Sequence, residues 1–166
     1  MIDHVSGIDF PILQRDLPEL FGTPNARRFA RDFLVTMDFS EFAEAFAQVR
    51  DFVGNPWRHR IYGNYVMERF LRKALAAVVA AGLAGELKTY EGCFNIRRMK
   101  GGNAFSVHSW GLAIDFNAAT NPFGRQLITD FSDEFVACFL NEGFEWGGSW
   151  GNPNFDAMHF QLPHTR

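Results

Sequence analysis

The chain has 166 residues, 47% hydrophobic and 21% charged, with a formal net charge of −3; one domain of this length buries most of the surface its unfolded form exposes. A pI near 5.9 argues against nucleic acid as a partner, because a phosphate backbone is gripped by concentrated Lys and Arg. Two cysteines, Cys93 and Cys138, exclude a disulfide scaffold and lack the spacing of a metal knuckle.

Residues 1–24 carry Pro11, Pro18, Gly22 and Pro24 and read as a turn-rich arm laid on the domain. Met1-Ile2-Asp3-His4 has no basic start and no apolar run behind it, so no secretion signal is expected. Helical periodicity follows at Phe29, Phe33 and Leu34. It returns at Phe42, Phe46, Val49 and Val53 after a Ser40 cap, with Gly54 as the stop. The strongest helix carries Met67, Phe70, Leu71, Ala74, Leu75, Val78 and Val79 in an i, i+3, i+4 stripe that ends at Gly82. That stripe is core, and the apolar run at 74–85 is shorter than the about 20 residues of a membrane span, so no membrane insertion is expected. A strand near Leu87 to Tyr90 and a Gly101-Gly102-Asn103 turn come next. Ser132 then caps a helix whose first turn holds Asp133 and Glu134, the sign the dipole favours, and Gly143 stops it. Nineteen phenylalanines, several at helical spacing, point to a Phe-rich core rather than an aromatic ligand platform. Helices first, then short strands around one more helix, give an α+β fold in a single domain over 1–166, with helices packed on a small antiparallel sheet. No repeat, low-complexity tract or separate binding module is visible, and a monomer is expected.

Two stretches hold the chemistry. The first is Ser106-Val107-His108-Ser109-Trp110-Gly111-Leu112-Ala113-Ile114-Asp115; the second is Phe155-Asp156-Ala157-Met158-His159-Phe160-Gln161. They supply two imidazoles, one carboxylate suited to a metal, and another carboxylate three residues before the last imidazole. That is the inventory of a catalytic zinc site with an open position. His108 and Asp115 are seven apart, and an unbroken strand would point them to opposite faces. Convergence therefore needs a bend, for which Gly111 is the natural place. Leu112-Ala113-Ile114-Asp115-Phe116 then reads as an apolar strand holding a charge, which rarely stays there unless paired or coordinated. His159 opens a second strand beside it, after the turn-rich run 147–154.

The pattern S-x-H-x6-D, followed by W-G-G-x-W and D-x-M-H-F, resembles the zinc D-alanyl-D-alanine carboxypeptidases and L-alanyl-D-glutamate endopeptidases that cut peptidoglycan stem peptides, the phage endolysin branch above all. The resemblance covers roughly 66–162 and implies a Hedgehog/DD-peptidase-like fold with the zinc site at the sheet. It implies that His108, Asp115 and His159 hold one Zn2+ per chain and that Asp156 takes the general acid/base position. The segment Gly92 to Gly101 resembles the one in which the family places an oxyanion-stabilising arginine. Arg97 fits that place better than Arg98, with the register open by one residue. In such a site zinc lowers the pKa of its water to about 7, Asp156 passes a proton to the leaving amine, and Arg97 meets the developing oxyanion.

The remaining candidates carry plainer alternatives. Ser106, Arg98, Trp146 and Trp150 are candidate substrate contacts; the tryptophans could equally pack the sheet, and the arginines beside Lys100 could form a solvated face. Arg98 or Lys100 is placed to hold a substrate carboxylate. Glu145 competes with Asp156 as base and is second choice. His4, His59 and His164 read as hydrogen-bonded or surface residues, and Cys138 as a buried thiol. A cysteine peptidase using Cys93, or an inactive wall-peptide-binding or phage structural relative, are the other classes. The expected substrate is a peptidoglycan stem peptide, reached in the wall after synthesis in the cytoplasm and release by another route, such as a phage lysis system. The cleft is expected between the arginine segment, the 146–155 loop and the N-terminal arm.

Overall fold

The computed structural model describes residues 3–5 and 7–166, with 3–5 described by backbone alone; the side chain of His4 thus lies outside the described residues. The arm contributes β1 (Asp3–Val5), β2 (Ile8–Phe10) and the short helix α1 (Leu17–Phe21). Helix α2 (Arg27–Phe33) leads into β3 (Leu34–Asp38), followed by β4 (Arg50–Asp51) and β5 (Arg60–Asn64). Then come α3 (Glu68–Ala80), β6 (Thr89–Gly92), β7 (Ala113–Phe116), β8 (Phe123–Gly124) and α4 (Asp133–Leu140), and finally β9 (Glu145–Trp146), β10 (Phe155–Asp156) and β11 (His159–Gln161). The fold is α+β. Its main sheet has the order β4-β6-β7-β11-β9, antiparallel except for the parallel pair β4 and β6. The pairs β1/β2, β3/β5 and β8/β10 form separate two-stranded ribbons.

Helix α3 forms where the apolar stripe predicts it, with Phe70, Leu71, Ala74, Leu75 and Val78 buried, and Gly82 ends it with φ +73°. Helix α4 is capped as expected: the Ser132 hydroxyl accepts from the Phe135 amide at 3.1 Å. It lays Phe135 and Phe139 onto the sheet, where the Phe139 and Phe160 rings sit 4.4 Å apart and Phe116 closes the cluster. Each fully buried ring is worth about 1.5–3 kcal/mol, so the phenylalanines are core, as composition suggested.

One expected helix does not form. After the 3-10 turn Ser40–Phe42 the chain runs through turns bonded i to i+3, Ala43 to Ser40, Ala47 to Glu44 and Val49 to Phe46. Phe46 and Val49 are buried, but Phe52 and Val53 are 72% and 70% exposed. Two competing bond sets explain this. Arg50 is drawn to the sheet edge by a bond to the Lys88 carbonyl, and Asp51 accepts from the Val53 and Asn55 amides in a tight turn. Ser40 hydrogen-bonds Asp38 instead of capping, and Leu34 belongs to β3. The strand expected at 87–90 begins two residues later, as β6.

Gly111 is the bend. His108 lies in the 3-10 turn Val107–Trp110, and Gly111 caps it with φ +66° before β7 starts. A Cβ there would meet the Asn64 amide at 2.7 Å, because the end of β5 bonds directly to this corner: the Asn64 amide donates to the Gly111 carbonyl and its side chain to that of Trp110.

Candidate metal centre and cleft

Three elements deliver the cluster. The 3-10 turn carries His108, β7 carries Asp115, and β11 sets His159 directly opposite Asp115 in the antiparallel register. His108 Nε2 lies 3.1 Å from His159 Nδ1 and 3.1 Å from Asp115 Oδ2, and His159 Nδ1 lies 3.0 Å from Asp115 Oδ1. Among the described residues this is the group of histidine, cysteine and acidic side chains that converges as metal ligands do. Both imidazoles are buried. Burial pushes the Asp115 carboxyl up, but the charges and hydrogen bonds of His108 and His159 outweigh it and hold the group well below the usual carboxylate range. Burial pushes His159 down, and the bond and charge of Asp115 reverse that and raise it.

Behind the cluster, His108 Nδ1 stands 2.7 Å from the Cys93 carbonyl. A carbonyl only accepts, so Nδ1 carries the hydrogen and Nε2 turns toward Asp115 and His159. Zinc bonds of about 2.0–2.1 Å put tetrahedral neighbours about 3.3 Å apart, close to the 3.0–3.2 Å separations here. The donor set, two imidazoles and one carboxylate, is also zinc's own. The residues fit the metal.

A cleft of about 770 Å3 opens onto this cluster, lined by Arg97, Lys100, Ser106, Asp115, Trp150, Asp156 and His159 among others. It also takes in Gln14 of the arm and Asn154 of the following loop. Asp156, on β10, has a buried Oδ1 with no hydrogen-bond partner. Burial raises its carboxyl above the ordinary value, against the pull of His159. Arg97 and Arg98 part company: Arg97 lines the cleft, whereas the Arg98 guanidinium lies 3.9 Å over the Phe105 ring and lines a neighbouring hollow. Lys100 sits 4.2 Å over Phe123, the residue paired with Asp156 between β8 and β10. Trp150 faces His159 with ring centres 5.2 Å apart. Trp146 is not brought to the cleft: it stacks on Phe160 and donates to the Ala157 carbonyl, which makes it a packing residue.

Residues 100–162 match the family described as D-alanyl-D-alanine carboxypeptidase. This is the family its motifs resemble. The match begins at Lys100, after Arg97 and Arg98, and takes in His108, Asp115, Asp156 and His159 before it ends at Leu162. No curated protein matches the chain.

The alternative chemistries find little support in the geometry. Cys93 is buried, burial raises its thiol, and Sγ points at the Gly111 carbonyl instead of a histidine. Glu145 is committed to Trp150 Nε1 and to the amide and hydroxyl of Thr165. His164 bonds the Gly143 carbonyl, and its backbone ties the arm at Ile12 and Gln14. Sequence reasoning missed Gln161, whose Oε1 lies 2.9 Å from His159 Nε2. The signal was its spacing, since residues two apart in a strand share a face.

Proposed function

We propose that the chain is a zinc peptidase that hydrolyses a peptide bond in peptidoglycan stem peptides, as a monomer of the phage endolysin type acting on the cell wall. The observation that carries this is a buried, unpartnered carboxylate oxygen on Asp156 lining the same cleft as the His108, Asp115 and His159 cluster. His108, Asp115 and His159 would hold the zinc, which when bound polarises a carbonyl and acidifies a coordinated water. Asp156 takes a proton from the attacking water and hands it to the departing amine; its raised carboxyl is suited to holding that proton. Arg97 presents fixed positive charge to the oxygen that becomes negative. Lys100, held over Phe123 across from Asp156, offers a partner for a substrate carboxylate, while Trp150 and Ser106 wall the site. A protein that only binds wall peptides has no use for an unpartnered carboxylate, because burying one is unfavourable.

Elemental analysis together with release of amino groups from purified peptidoglycan tests the reading. About one zinc per chain is expected, with Asp156→Ala retaining the metal and losing hydrolysis. Wall cutting by His159→Ala at the wild-type rate would refute the metal mechanism. Mass analysis of the fragments names the bond.

A further inference from the structure

We infer that Gln161 is a positioning residue that decides which ring nitrogen of His159 faces the ligand cluster. The argument begins behind the ring. Gln161 is 1% exposed and its strand is pinned on both sides, opposite Ala113 of β7 and Glu145 of β9. Its amide nitrogen lies 2.6 Å from the Pro163 carbonyl and 3.4 Å from Gln14 Oε1. The Pro163 carbonyl can only accept, so the side-chain NH2 must face it, and the amide cannot be flipped without setting two oxygens against each other. Oε1 is thereby forced toward His159 Nε2, at 2.9 Å. An amide oxygen has no hydrogen to give, so Nε2 must carry one, and the lone pair of the neutral ring falls on Nδ1. Nδ1 is the atom that lies 3.0 Å from Asp115 and 3.1 Å from His108. The Cys93 carbonyl sets His108 by the same logic in the opposite sense, through Nδ1, leaving Nε2 to the cluster. One imidazole is held by backbone, which no substitution removes. The other depends on a single side chain.

The inference rests on the zinc reading above, and its test separates the two. Gln161→Met keeps the length and burial of the side chain but removes the acceptor; Gln161→Glu keeps an acceptor oxygen. Zinc affinity is measured by chelator competition, the fold by Tm of the chelated protein, and the His159 ring by proton–nitrogen NMR of the zinc-loaded wild type. Loss of such an outer hydrogen bond weakens metal binding by about 10–100-fold, and that loss is expected for Gln161→Met and not for Gln161→Glu. The wild-type ring is expected to show a slowly exchanging hydrogen on Nε2. Wild-type affinity in Gln161→Met overturns the inference, and so does a hydrogen on Nδ1 in the zinc-loaded wild type, even if the variants fail to fold. A wild type that binds no zinc overturns the parent reading, and the inference with it.

Discussion

Gly147 packs against Asp156 on β10, which makes Gly147→Ala an informative perturbation. A Cβ built there would lie 2.4 Å from the Asp156 carbonyl oxygen and 2.9 Å from its Cβ, where ordinary contact begins at 3.4 Å. The obstacle is largely backbone, so it cannot rotate aside, and β10 has to shift by about 1 Å; a displacement of that size from productive geometry typically costs on the order of 100-fold in rate. Gly147 does not have a left-handed φ, so the substitution acts through this contact and not through backbone strain. The assay is kcat and kcat/KM on a stem-peptide substrate, with zinc content measured on the same sample. A fall of about 100-fold in kcat, equivalent to about 2.7 kcal/mol of barrier, is expected with zinc still bound. Gly85→Ala serves as the control, since nothing lies within 4 Å of a Cβ there. Undiminished kcat in Gly147→Ala would show that the placement of Asp156 does not limit the reaction, and loss of zinc would show that the effect runs through the metal.

Other outcomes follow from the same geometry. Asp156→Asn is expected to abolish hydrolysis yet raise the Tm of the chelated protein at pH 7. Burial raises the folded carboxyl above its unfolded value, so ionisation opposes folding at pH above the ordinary carboxylate range, and the gain in Tm should shrink as pH falls into that range; a gain independent of pH contradicts this account. Gly111→Ala combines a left-handed φ with a Cβ 2.7 Å from the Asn64 amide, and calorimetry should record a fall in Tm on the order of 5 °C or more. Cys93→Ala leaves in place the backbone carbonyl that orients His108, so peptidoglycan hydrolysis should persist, whereas its complete loss would revive the thiol mechanism.

Much of the fold can be read locally. The i, i+3, i+4 stripe of α3 and the Ser132 cap of α4 are signals contained within one turn or two of chain, and both elements form where they point. The segment 42–53 carries an equally regular apolar spacing, and there the local signal misleads. A bond from Arg50 to Lys88, 38 positions away, together with the Asp51 turn, draws the chain out of the helix. Arg97 and Arg98 are alike in sequence; in the structure Arg97 lines the cleft, while Arg98 is held away from it over the Phe105 ring and by the Asn103 carbonyl. Trp146 and Trp150 flank the same motif, yet one stacks on Phe160 and the other meets the His159 ring at a tilt.

By itself the sequence determined the kinds of side chain that the cluster brings together, the need for a bend at Gly111, and the α+β class, because residue chemistry and short-range periodicity act within a few residues. Tertiary structure alone decided that His159 stands opposite Asp115, that Asp156 Oδ1 is left without a hydrogen-bond partner, and that Gln161 and the Cys93 carbonyl stand behind the two imidazoles. Strand register and burial arise from contacts between segments far apart in the chain, and those contacts set which atoms meet.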